Sequence, residues 1–217
     1  MPSIAVGLSK DLANGRVMRA FAGEQDLVIW RSKSGKLSAW DNRCPHRGMR
    51  LSHGFVRGEA LACVYHGWHY DKSATCRYIP AHPELEPPET IKATEFLSIE
   101  KGGLIWINLE AEAGEPKIPD NLQPIRTLTF RCSQNLIKEA IDERNYKVLK
   151  QCDDMWQLEL SDMNVQLHLF FQQLPMQHCA VHALLSGDGA VSTRKQISAN
   201  LENLRTVAEA KLEEFVS

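Results

Sequence analysis

Four residues in the pattern C-x-H-x16-C-x2-H constrain this chain more than any other feature: Cys44 and His46 in the run CPHRG, then Cys63 and His66 in the run CVYHGW. Two thiolates and two neutral imidazoles are the donors of a [2Fe-2S] cluster in which Cys44 and Cys63 take one iron and His46 and His66 the other. Exchanging two thiolates for imidazoles makes such a cluster less negative and easier to reduce than an all-cysteine one. A Cys2His2 set also suits tetrahedral zinc. Zinc, however, needs only four donors, whereas here each histidine is followed directly or almost directly by a glycine, Gly48 or Gly67. A glycine there lets the backbone turn closely and leaves amide N–H groups free to donate to sulfur. Trp68 is expected to cover one side of the cluster.

The runs CPHRG, LSHG at residues 51–54, CVYHGWHYD at 63–71 and IPAH at 79–82 resemble the Rieske [2Fe-2S] domain of the ring-hydroxylating and demethylating non-haem iron oxygenases. Val64 stands where that family usually has proline. The respiratory type of Rieske protein has a further cysteine in each loop, and Val64 and Tyr65 between Cys63 and His66 leave no such pair. The resemblance covers about the first half of the chain. It implies an α+β chain: an N-terminal all-β Rieske domain over 1–110, a linker over 111–124, and a reduced helix-grip-like domain of antiparallel strands and a long C-terminal helix over 125–217.

Strands are expected at 17–22, 26–31, 37–40 and 60–62, with a hairpin at 96–100 and 104–108 around Lys101-Gly102-Gly103. The proline-rich stretch 80–88 reads as an extended surface segment. In the second half, 126–131 reads as a strand and 135–150 as helical. Residues 164–173 alternate as a half-buried strand, with 177–185 as its antiparallel partner. A final helix opens on the capping box Thr193-x-x-Gln196, with Ile197, Leu201, Leu204, Ala208, Leu212 and Phe215 as its apolar stripe.

In the resembled family a mononuclear iron in the catalytic domain is held by two histidines and a carboxylate. The best alignment here is Asp142-Glu143-Arg144-Asn145 with Lys150 or Gln151, and both histidine positions are lost. His178 and His182 on one strand would stand about 13 Å apart, too far to share an ion. His168 on the neighbouring strand is either a partner for one of them or, as is usual for a lone strand histidine, a satisfied core or surface residue; His53, His69 and His82 read as hydrogen-bonding or surface residues. The catalytic site is therefore left unassigned and a mononuclear iron in doubt.

Net charge is −2 with a pI near 6.4, which gives no reason to expect nucleic acid or an anionic membrane as partner. No apolar run approaches a membrane span and the start of the chain lacks the regions of a signal peptide, so a cytoplasmic protein is expected. Cys76, Cys132, Cys152 and Cys179 read as small buried hydrophobes. These features point to an oxidoreductase acting as the electron-transfer subunit of a Rieske oxygenase system. Its expected partners are a reductase or ferredoxin and a catalytic oxygenase subunit, a homo-oligomer, or both. Arg43, Arg47 and Arg50 are either a basic rim for an acidic reductase or structurally bonded loop residues. The alternatives are a complete small Rieske oxygenase with unrecognised iron ligands, a non-enzymatic redox sensor or assembly subunit, and a free Rieske ferredoxin.

Overall fold

The computed structural model describes residues 3–110, 114–119, 121–144 and 146–216, with side chains as far as residue 212. It divides into two compact units, Met1–Ile99 with Ile105–Pro116, and Glu100–Leu104 with Lys117–Ser217.

The strands of the first half are β1 (Ile4–Leu8), β2 (Arg16–Ala22), β3 (Gln25–Arg31), β4 (Leu37–Asp41), β5 (Phe55–Arg57), β6 (Ala60–Ala62), β7 (His69–Tyr70), β8 (Cys76–Tyr78), β9 (Glu95–Lys101) and β10 (Leu104–Asn108). They form a six-stranded sheet in the order β1-β10-β9-β4-β3-β2 and a four-stranded sheet in the order β5-β6-β7-β8. The expected strands and the 96–108 hairpin are present; β1, β5, β7 and β8 are additions. β3 carries four consecutive buried apolar residues, Leu27 to Trp30, because both of its faces are covered. Its period of two sends Leu27 and Ile29 into one core with Ala39. Val28 and Trp30 go into the other, with Trp40, Leu51, Leu61, Tyr70 and Cys76. That second core also contains Cys44 and Cys63, so the candidate ligand loops are rooted in packed side chains.

The second half holds β11 (Leu122–Phe130), α1 (Gln134–Asp142), β12 (Lys147–Cys152), β13 (Met155–Leu160), β14 (Val165–Gln173), β15 (Cys179–Ser186) and α2 (Val191–Val216). The five strands form one antiparallel sheet in the order β11-β15-β14-β13-β12. Ile197, Leu201, Leu204 and Ala208 of α2 pack into one core with Leu158, Leu160, Leu167 and Leu169 of the sheet and with Leu136, Ile137, Ala140 and Ile141 of α1.

Several expectations for this half are corrected. Residues 135–150 are not one helix: α1 stops at Asp142, and Lys147–Cys152 pairs with β13 as an edge strand. The turn is Asp153-Asp154, and the Lys147 ammonium meets the Glu159 carboxylate at 2.8 Å. The hairpin is held in place by the pairing of β13 with β14, and that sheet context overrides the local helical pattern. β11 begins four residues before the expected start, with a bulge between Pro124 and Arg126 that accommodates the missing proline N–H. β14 is buried on both faces over Leu167–Gln172 rather than half-buried. α2 begins at Val191, so Thr193 lies inside its first turn and is no cap; the Gln196 amide donates instead to Asn200 one turn on. Leu212 is 38% exposed, beyond the end of the apolar stripe, and the Phe215 side chain lies outside the described residues.

Candidate metal centre

Two loops carry the four expected ligands. The first follows β4 and holds Cys44 and His46; the second joins β6 to β7 and holds Cys63 and His66. Both close by the same backbone pattern. The Cys44 N–H donates to the Met49 carbonyl and the Gly48 N–H to the Cys44 carbonyl, each at 2.8 Å. The Cys63 N–H donates to the Trp68 carbonyl and the Gly67 N–H to the Cys63 carbonyl, each at 2.9 Å. The glycines sit at matching places with φ of +68° and +69°, the left-handed region that a side chain resists. Their own amides are spent closing the loops, and the amides left to donate to sulfur are those of other loop residues. The sulfur of Cys63 instead accepts from the amides of Tyr65 and His66.

The donors fall into two pairs of different character. Cys44 and Cys63 are buried, 3% and 2% exposed, and their sulfurs are near enough to interact directly. His46 is half-buried and His66 exposed, with ring centroids 4.7 Å apart. Trp68 reaches from the second loop to stack flat on His46, centroids 4.0 Å apart and planes 6° apart. Tyr65 lies against His66 at 3.9 Å. The Tyr70 hydroxyl, fully buried, is 3.1 Å from Cys44 Sγ.

This donor set fits a two-iron cluster. Among the described residues no three His, Cys, Asp or Glu side chains gather as the shell of a single ion. In a [2Fe-2S] cluster each iron asks the protein for only two donors. Burial pushes the Cys63 thiol up; the Tyr65 and His66 amides pull against this and the Cys44 sulfur adds to it. Thiolates in such a place need a cation beside them, which ligation supplies. Burial, the neighbouring His66 and Arg47 all hold His46 below the usual histidine range, favouring the neutral imidazole that a metal requires.

Residues without a role in the sequence pattern hold the loops in place. Asn42, fully buried just before the first loop, donates to the Asp26 carboxylate at 2.8 Å and accepts from the Ser52 N–H at 2.7 Å. Burial pushes the Asp26 carboxyl up, but hydrogen bonds from Arg19 and Asn42 and the charges of Arg19 and Arg50 outweigh it and hold it below the usual range. Arg50 is thereby an ion-pair partner, 3.5 Å from Asp26, and Arg43 donates to the Gly48 carbonyl; Arg47 is exposed and has no such partner among the described residues. Tyr70 takes an inward position on β7 and Asn42 follows the end of β4, and the sequence reading singled out neither. Nothing local announced their partners.

The remaining candidates are placed apart. His53 and His82 are exposed, and His69 is half-buried against Tyr78. His182 lies between Thr127 at 2.8 Å and Gln172 at 3.1 Å, and His168 meets Ser186 at 2.8 Å. His178 precedes β15 rather than lying on it. Asp142 ends α1, Glu143 pairs with Lys211, and Arg144 donates to Asn203, so this run fastens α1 to α2. Asn145 lies outside the described residues, while Lys150 and Gln151 are exposed on edge strand β12. Cys76, Cys132 and Cys179 are buried as expected, and burial pushes the last two thiols up to about 11 and about 12. Cys152 is exposed, against expectation, because β12 is an edge strand.

The Rieske [2Fe-2S] domain family matches residues 3–92. Residues 3–92 are a Rieske [2Fe-2S] domain, of the kind found in Rieske non-haem iron oxygenases. The chain is 29% identical over 237 aligned positions to oxidoreductase NdmD of Pseudomonas putida, covering 98% of this chain and 40% of the relative. It is 42% identical over 81 residues to methylxanthine N1-demethylase NdmA of the same organism, covering 37% of this chain and 23% of the relative. The 3-chlorobenzoate-3,4-dioxygenase oxygenase subunit of Comamonas testosteroni is 32% identical over 108 residues, 49% and 25% of the two chains. The chain thus spans two fifths or less of the length of these relatives. In fold it is similar to apo dicamba monooxygenase, with a TM-score of 0.70 and 16% identity over 99% of this chain and 84% of that one. Pseudomonas putida NdmA gives 0.69 and 17% over 96% and 80%. Among the described residues no helix is long and apolar enough to cross a membrane.

Proposed function

We propose that this Rieske protein is an electron-transfer component of an oxygenase system, receiving electrons from a reductase or ferredoxin and passing them to a mononuclear iron on a partner subunit. Cys44 and Cys63 would hold one iron and His46 and His66 the other. The bound cluster supplies a site that accepts and gives up one electron at a time. The chain's own residues anchor it on buried thiols, present the imidazoles at the surface, and set ring orientation through Trp68 and Tyr65. The observation that carries the reading is this polarity: sulfur inside, imidazole at the surface, on two loops of matching hydrogen-bond pattern.

The second domain, taken as 125–217 after a linker at 111–124, supports a docking or assembly role rather than chemistry of its own. The space between α2 and β13–β14 is filled by leucines and Ile197, leaving a cavity of about 10 Å³, room for no more than a water. The residues aligned with the iron-binding run are engaged between α1 and α2. A complete oxygenase is the second reading, favoured by the likeness to dicamba monooxygenase over nearly the whole chain. Iron and sulfide analysis of the anaerobically reconstituted protein separates them. Two irons per chain, with electron delivery to a separately purified oxygenase subunit and no turnover alone, is expected. Three irons, or turnover with a reductant only, overturns the proposal.

A further inference from the structure

The four-stranded sheet β5-β6-β7-β8 has one face in the core and one outside. Val56, Leu61 and Tyr70 lie side by side on the inner face. The register puts Phe55, Ala62, His69 and Tyr78 in one row across the outer face, with Arg57 two residues from Phe55 on the same side. A solvated face of an antiparallel sheet is ordinarily polar. Here Phe55 and Tyr78 are 40% and 39% exposed. The Arg57 guanidinium lies 4.7 Å from the centre of the Phe55 ring, and His69 lies 5.1 Å from Tyr78. Arg57 meets no carboxylate among the described residues. Rings and arginine grouped this way are what buried interface centres are made of.

The charge distribution indicates what would cover this face. Between Arg43 and His82 stand six basic residues, Arg43, Arg47, Arg50, Arg57, Lys72 and Arg77, against only Glu59 and Asp71. The stretch carries a net +4 in a chain whose total is −2; with Arg50 paired to Asp26 and Arg77 to Asp71 and Glu89, the positive charge rests on Arg43, Arg47, Arg57 and Lys72 against Glu59. Ala62 of the row is buried and is followed by Cys63, so a partner on the exposed Phe55 beside it sits close to the root of the His66 loop.

Resting on the electron-transfer reading above, we infer that the face formed by Phe55, Arg57, His69 and Tyr78 is a docking surface for an acidic electron-carrier protein. The test measures reduction of the cluster-loaded protein by a reduced plant-type [2Fe-2S] ferredoxin, an acidic probe, in stopped flow at stepped ionic strength. Dithionite reduction and the visible spectrum serve as controls. Arg57→Glu and Tyr78→Ser should each slow the second-order rate at least tenfold at low salt and leave both controls unchanged. Added salt should slow the unmodified protein and flatten the difference. If the unmodified protein is reduced rapidly but both variants match it, the docking face is wrong and the electron-transfer reading stands. If ferredoxin fails to reduce the unmodified protein while dithionite succeeds, both fall. A concentration-dependent dimer in sedimentation that Arg57→Glu abolishes would assign the face to a second copy of this chain and overturn the inference.

Discussion

Tyr70→Phe isolates a single hydrogen bond. The hydroxyl is fully buried, 3.1 Å from Cys44 Sγ, and an iron-bound thiolate can only accept, so the tyrosine donates. Burial first, and then the Cys44 sulfur, push the tyrosine far above its ordinary range, so the donor stays protonated at any working pH. Phenylalanine keeps the ring in its packing place beside Leu61 and Cys76 and deletes only the O–H. A hydrogen bond to a charged group contributes about 1.5–3 kcal/mol. It strengthens when the sulfur gains electron density, and about a third to a half of it, ~1 kcal/mol, favours the reduced state. For a one-electron couple ~59 mV corresponds to a tenfold change, about 1.4 kcal/mol. On that scale the loss is worth about 40 mV. Tyr70→Phe should lower the reduction potential by roughly 40 mV, read in an anaerobic redox titration followed by visible circular dichroism. The drop should be equal across neutral and alkaline pH, and the thermal midpoint nearly unchanged. A potential that stays within about 10 mV of the parent, or rises, would refute the assignment of this bond as a tuning contact.

Other outcomes follow from the same contacts. Trp68→Ala removes the ring stacked on His46, worth about 1 kcal/mol, and should speed bleaching of the cluster's visible absorbance in air, whereas Trp68→Phe should restore most of the lifetime. Asn42→Ala orphans the Ser52 amide and takes one hydrogen bond from Asp26, which keeps Arg19, and should lower the unfolding free energy by about 1–3 kcal/mol, measured in urea on cluster-loaded protein. Leu201→Ala opens the core beneath α2 and should cost about 2–5 kcal/mol without altering the visible spectrum. His168, buried with its Nδ1 unpartnered, is held below the usual histidine range first by burial and then by the charge of Lys150. Because the unfolded chain takes up the proton more readily, stability is full above the ordinary histidine pKa and falls as pH drops below it. The urea midpoint should therefore fall from about pH 7 to about pH 5.5 and flatten in His168→Gln; an unchanged slope in that variant would remove His168 as the cause.

In the first half β2, β3, β4, β6, β9 and β10 were legible because their signals are local, whereas the short β5, β7 and β8 and the leading β1 were not. Two-residue and glycine turns separate the β2–β3, β5–β6 and β9–β10 pairs, and the period-two burial of β3 and β4 follows from their apolar runs. The second half was legible only where periodicity was strong, in β14, β15 and α2. β13 escaped notice although Trp156, Leu158 and Leu160 alternate, because its six residues gain a role only between β12 and β14. The helical spacing of 135–150 was real as far as Ile141, and Lys147–Cys152 became a strand because an edge was there to pair with.

For the candidate site, the sequence alone determined the kinds of donor, their order and the matching turns. Ligand chemistry and glycine φ preference are properties of single residues and their immediate neighbours. Only the tertiary structure decided that the sulfurs pair inside while the imidazoles meet at the surface, that Trp68 lies on His46, and that Tyr70 reaches Cys44. Those contacts join residues 19 to 26 apart in the chain, and no spacing rule encodes them. They exist because β6–β7 and the end of β4 are packed on one core, where burial excludes water and each polar group must find its partner in the protein.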